Sequence, residues 1–177
     1  MIVFTPTDYE AKSMGKLGDS AIVTGMGKLA MLHACYEHKD KMVNSLEPVI
    51  LIGYCGLLKG ELAIGNSVTP AVYVDGDYNS YPVEDSIHFI VEKKNAVAVC
   101  ISQDRILTNN PYKDICADFK IAITDMESYA FVEFCRRFKI RYKVIRVVSD
   151  IVGEESAVDF MEACKTNRLE LALEKAL

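Results

Sequence analysis

Residues 144–153 read VIRVVSDIVG. Four Val and Ile residues surround one arginine, and Ser149-Asp150 arrive before the apolar run has ended. A run apolar on both alternations suits a strand covered on both faces, as in a parallel sheet packed between helices. Working outward, VILIGY at 49–54 and VAVCIS at 97–102 are runs of the same kind. Residues 1–5, 20–24 and 121–124 are shorter ones, and 65–74 is a further strand that Pro70 demotes in part to an edge or bulge.

Helical segments fall between these runs. Residues 9–17 can form a turn or two, punctuated by Gly15 and Gly18. Gly25-Met26-Gly27 opens a helix from Lys28 to about Leu46. The turn-rich GDYNSYP at 76–82 precedes a short helix over 85–92, and residues 103–114 form a polar loop. Residues 125–138 are apolar nearly all round, which predicts a buried helix. A terminal helix over 156–177 has a stripe of Val158, Met161, Leu169 and Leu173. Strands alternating with helices predict one α/β domain over 1–177, a three-layer α/β/α sandwich with a mainly parallel central mixed sheet. Such sheets bind ligands at the carboxyl ends of their strands.

Composition narrows the function. The 177 residues suffice for one sizeable core, and 50% hydrophobic content argues against disorder. The net charge of −5 and the lack of a long basic run argue against nucleic acid as a partner. No apolar run is long enough to span a membrane, and MIVFTPTDYE is expected to be a first strand, not a signal peptide. The six cysteines are scattered through apolar segments with no CxxC, as expected of reduced core residues in a cytoplasmic protein. His33, His38 and His88 show no metal-ligand spacing beyond His33 with Glu37, so no zinc site is expected.

Carboxylates gather at the strand ends: Asp8 and Glu10, Asp104, Asp125 and Glu127, and Asp150. Each has a plain reading as a helix cap or a first-turn acid. Asp150 fits that reading least, because Ile151 and Val152 surround it with apolar side chains. Desolvation favours the protonated carboxyl, the form a general acid needs. Gly25-Met26-Gly27-Lys28 lacks the spacing of a phosphate loop, and close helix–strand packing explains its glycines better.

Taken together, four segments resemble the nucleoside phosphorylase/nucleosidase superfamily. Within it they resemble the 5′-methylthioadenosine/S-adenosylhomocysteine nucleosidases and futalosine hydrolases. The segments are TPTDYEA at 5–11, TGMGKLAM at 24–31, LIGYCGLLKGELAIGNSV at 51–68 and TDMESYAFVEFCRRFKIRYKVIRVVSD at 124–150. The resemblance implies a nucleoside phosphorylase-like fold, a small-molecule nucleoside as partner, no cofactor and a homodimer. It implies that Asp150 protonates the purine and that Glu10 positions or deprotonates the attacking water. Glu127 would hold the ribose hydroxyls and Met126 would pack on the sugar. Ser149, Tyr54, Cys55, Gly56, Ile106 and Leu107 would complete the binding surface.

Departures sharpen the expectation. Phosphorylases clamp phosphate with an arginine and a Ser or Thr where this chain has Leu51 and Tyr54. Water is therefore the expected nucleophile. Ile106 and Leu107 stand where an aromatic residue usually stacks on the base, and Tyr54 could fill part of the pocket. The segments between Glu10 and Ser20 and between Asp77 and Val97 are shorter than the family pattern. Two alternatives stand beside hydrolysis. One is a phosphorylase with an anion site at Lys28, Lys59 or Arg105; the other is a non-enzymatic nucleoside-binding relative.

Overall fold

A computed structural model describes residues 1–77 and 89–177. In chain order the elements are β1 (Val3–Thr5), α1 (Asp8–Ser13), a 3₁₀ turn (Gly15–Ser20), β2 (Ile22–Val23), α2 (Lys28–Glu37) and α3 (Lys39–Val43). Then come β3 (Val49–Lys59), β4 (Ser67–Val68), β5 (Val72–Asp75), β6 (Phe89–Val91), β7 (Ala98–Ser102) and α4 (Lys113–Ala117). The chain finishes with β8 (Ile121–Asp125), α5 (Ser128–Arg137), β9 (Tyr142–Ile151), α6 (Ser156–Ala163) and α7 (Arg168–Glu174).

The described strands form one nine-stranded sheet, along the path β2-β1-β3-β8-β7-β5-β6, with β9 on the other edge of β3 and β4 beyond it. Parallel pairs dominate, and β3–β8, β4–β9 and β5–β6 are antiparallel. Both faces are covered, as the apolar runs require. Leu51, Cys55 and Leu57 of β3 face the layer of α2 and α5, where Met31, Cys35, Phe131 and Phe134 are buried. Ile50, Ile52 and Tyr54 face α1, α6 and α7, packing with Met14, Ala163, Leu169 and Leu173. The strand therefore has no polar face, and period-2 patterning disappears from its sequence. All six cysteines are free and buried. No helix among the described residues is long and apolar enough to cross a membrane.

Several local expectations are corrected. The run at 49–54 continues to Lys59, because Gly53 and Gly56 are accommodated inside the strand. Pro70 separates two strands with different partners, β4 on β9 and β5 on β7. Phe89–Val91 is a strand pairing with Val72–Val74, not part of a helix; residues 85–88 of that expected helix, His88 among them, and 78–82 of the GDYNSYP turn lie outside the described residues. The loop at 103–114 ends in α4. The long helix after Lys28 breaks at His38, whose ring packs edge-on against Phe4 at 6.0 Å. The helix expected over 125–138 starts later, because Asp125 completes β8. The terminal helix is two, with Val158 exposed and Leu169 and Leu173 fully buried.

Candidate active site

The site opens where the sheet changes partners. Along one edge of β3, β1 pairs at Ile50 and Leu51, and β8 pairs from Gly56 onward. Between the two, the edge at Gly53–Cys55 faces the ends of both strands. A cleft open to solvent at its mouth lies there. All ten residues singled out from the sequence line it: Glu10, Tyr54, Cys55, Gly56, Ile106, Leu107, Met126, Glu127, Ser149 and Asp150.

Asp150 comes from the end of β9. The β3–β9 ladder pairs Cys55 with Val148 and then Gly56 with Asp150, so Ser149 is the extra residue of a bulge. A bulge re-aims the side chain that follows it. Asp150 is 5% exposed, and its Oδ1 accepts a hydrogen bond from Ser149 Oγ at 2.5 Å. Ser149 Oγ also lies 3.1 Å from the Cys55 carbonyl. One apolar flank differs from expectation: Ile151 is 66% exposed and points outward, while Val152 lines the cavity.

Glu10 arises from a local signal that also makes a helix start. Thr7 caps α1 by accepting from the Glu10 N–H at 3.1 Å, and its hydroxyl donates to Glu10 Oε2 at 2.8 Å. This Thr-x-x-Glu spacing is that of a capping box. It does not occupy the carboxylate fully, since Glu10 Oε1 accepts from the Tyr54 backbone N–H at 2.8 Å. Burial pushes the Glu10 carboxyl above the usual range, against the pull of that N–H, the Arg146 charge and Thr7.

Asp125 and Glu127 lie on either side of Met126, as β8 turns into α5. Arg146 joins them. It occupies a helix-facing position of β9 between Val144 and Val148 and is wholly buried. Its Nη2 lies 2.5 Å from Asp125 Oδ2 and 3.5 Å from Glu127 Oε2, and its Nε donates to Ser128 Oγ at 3.0 Å. Its Nη1 has no hydrogen-bond partner among the described residues. Asp125 also accepts from Ser102 Oγ at 2.5 Å and from the Ser128 N–H at 3.1 Å. It thus holds the start of α5, as a capping acid would, while pairing with Arg146.

Glu127 Oε1 accepts from the Gly27 N–H at 3.0 Å, which ties the start of α2 to the site. Gly27 has φ +96°, so backbone conformation as well as packing requires glycine in that turn. Burial pushes the Glu127 carboxyl up to about 8; Arg146 pulls it down, and the charges of Asp125 and Glu10 push it up. A charged residue inside an apolar strand is the sequence signal for the structural role of Arg146. Phe160, Ser156 and Thr124 also line the cleft and were not singled out; no spacing in the sequence points to them.

Tyr54 lines the cleft while its ring packs among the apolar residues under α6 and α7, and its hydroxyl reaches Ser13 and the Ala163 carbonyl, each at 2.8 Å. The three basic candidates for an anion site separate. Lys28 Nζ lies 2.5 Å from Asp75 and 2.7 Å from Asp77. Lys59 donates to the Cys116 and Ala117 carbonyls at 2.8 and 3.0 Å. Arg105 alone of the three lines the cleft. No group of three or more metal-ligating side chains occurs among the described residues.

Residues 99–176, which include Asp125, Glu127, Arg146 and Asp150, match the family model of the phosphorylase superfamily. The chain as a whole has the nucleoside phosphorylase-like fold expected from its sequence. A futalosine hydrolase of Helicobacter pylori superimposes with a TM-score of 0.74 at 17% identity, covering 99% of this chain and 97% of that one. The H. pylori 5′-methylthioadenosine/S-adenosylhomocysteine nucleosidase, bound to butyl-thio-DADMe-Immucillin-A, superimposes at 0.76 with 15% identity, covering 98% and 95%. The Neisseria meningitidis nucleosidase, in complex with methylthio-immucillin-A, superimposes at 0.71 with 17% identity, covering 99% and 98%. No curated protein matches the sequence.

Proposed function

We propose that this protein hydrolyses the N-ribosidic bond of a purine-type nucleoside, with 5′-methylthioadenosine or S-adenosylhomocysteine as the first substrates to test. The observation behind the reading is the set of carboxyl groups on the cleft wall. Glu10, Asp125, Glu127 and Asp150 line it, and among the described lining residues only Arg105 is basic. Cleaving an N-ribosidic bond needs an acid at the base and builds positive charge on the sugar; carboxyl groups supply the first when protonated and stabilise the second when ionised. The relatives named above support the reading through their fold.

Asp150 acts as the acid to the base. It stands at the strand end with Ser149 holding one oxygen and Gly56 beside it. Glu10 positions water, since Thr7 and the Tyr54 N–H hold both its oxygens in place and fix its orientation. Glu127 receives the ribose hydroxyls, and Met126 packs against the sugar. Arg146 lies behind these groups and offsets part of their charge without facing the substrate.

The test is release of free base from a nucleoside panel, with and without phosphate. Release independent of phosphate, yielding free sugar, is expected. Phosphate-dependent turnover giving ribose 1-phosphate would establish the phosphorylase instead. Asp150→Asn should lower kcat by about 10²–10⁴-fold while ligand binding persists. Full activity in that variant would remove Asp150 from the mechanism. The homodimer that the family resemblance suggests is read by light scattering on the same preparation.

A further inference from the structure

We infer that Tyr54 is a positioning residue that ties the outer wall of the cleft to the carboxylate of Glu10, a role that rests on the reading proposed above. Tyr54 stands in β3 between the residues that pair with β1 and those that pair with β8. Its N–H therefore turns to a side chain, Glu10 Oε1 at 2.8 Å. Its ring packs edge-on against Phe160 at 6.2 Å and 86°, and Phe160 lines the cleft from α6. Its hydroxyl reaches the break between α6 and α7. There it donates to the Ala163 carbonyl at 2.8 Å and lies 2.8 Å from Ser13 Oγ and 3.4 Å from Thr166 Oγ1.

The cluster joins three elements. Ser13, on the helix that bears Glu10, donates to the Thr166 carbonyl at 2.5 Å, and the Thr166 hydroxyl donates to the Ala163 carbonyl at 2.7 Å. The Ala163 carbonyl at the end of α6 thus gathers the Thr166 N–H at 3.0 Å and two hydroxyls, one of them from Tyr54 in the sheet. The apolar contacts of α6 are few, made chiefly by Ala163 and Phe160. The helix has eight residues, its Val158 is 62% exposed and its Met161 38% exposed. A short helix with so few buried apolar groups depends on its polar anchors, because a buried hydroxyl or carbonyl left without a partner is costly. Tyr54 thereby sets where Phe160 and Ser156 stand before any ligand arrives. Setting a wall in advance reduces the ordering that binding must supply, so the effect belongs to affinity more than to the chemical step.

The experiment compares Tyr54→Phe, which keeps the ring, with Ser13→Ala and with the double variant. Amide hydrogen exchange without any substrate is read first. Protection across residues 156–166 should fall about tenfold in each single variant while β3 and β9 keep theirs. In turnover, KM should rise about five- to tenfold with a smaller change in kcat, and the double variant should be no worse than the poorer single one. Unchanged exchange in α6, or a loss confined to kcat, would overturn the assignment. If the parent protein released no base from any nucleoside, the proposed function would fail while the exchange comparison still decided the anchor. Should Tyr54→Phe not fold, Ser13→Ala with Thr166→Val gives the same readout.

Discussion

Replacing Glu127 by glutamine should change how stability depends on pH, in a direction the structure sets. Glu127 is 4% exposed, and burial raises its carboxyl from about 4.5 to about 8. A carboxyl whose folded pKa exceeds its unfolded one binds a proton more tightly in the native state. Its stabilising contribution is complete below about pH 4.5 and is lost as pH rises through about 8. Between those limits the native state binds about one proton more than the unfolded chain, so unfolding free energy falls by about 1.4 kcal/mol per pH unit. From pH 6 to pH 8 the loss from Glu127 is about 2–3 kcal/mol. Lys28, raised by its bonds to Asp75 and Asp77, and Asp77, lowered by Lys28, titrate outside this window, as does the raised Arg146. Glutamine keeps the size and the oxygen that accepts from Gly27 but cannot ionise. Urea unfolding at pH 6, 7 and 8 should show a shallower fall for Glu127→Gln than for the parent, with the curves diverging toward alkaline pH. Parallel curves would refute the argument, because they would mean Glu127 is ionised in the native state throughout.

Two more perturbations test the frame around the site. A Cβ added at Gly53 would lie 2.4 Å from Arg146 Nη1 and 2.7 Å from Glu10 Oε1. Gly53→Ala should therefore cost about 3 kcal/mol or more and abolish turnover; an unchanged denaturation midpoint would show that the network yields. Arg146→Met would leave Asp125, Glu127 and Glu10 buried without their cation. A loss of about 3–5 kcal/mol is expected at pH 8, and a smaller one at pH 5 where the carboxyls can take up protons; a loss independent of pH would point to packing instead.

The layered fold was legible because burial on both faces leaves a direct trace: short β-branched runs such as VILIGY and VIRVVSD, bounded by turn residues, fit strands covered twice. The cleft residues were legible through motif, and all ten line the cavity. What escaped was conditional on distant partners. The length of β3 depended on β8 and β9 both accepting Gly56, and nothing in GYCGLLKG announces that. The terminal helix breaks where Tyr54 and Ser13 satisfy its carbonyls, from 109 and 153 residues away in sequence.

Asp150 shows the division most clearly. The sequence by itself determined that a carboxylate stands at the end of a buried strand, since apolar alternation and strand length are local properties. It also determined that Met126-Glu127 and Arg146 accompany that acid, since motif spacing is read along the chain. Only the tertiary structure decided that Ser149 bulges to aim Asp150 into a cleft and that Arg146 serves two carboxylates at once. It also packed the Tyr54 ring under α6 and α7, where the hydroxyl reaches the Ala163 carbonyl. Each depends on which strands exchange partners beside Gly53–Cys55, a long-range choice made by packing rather than by local preference.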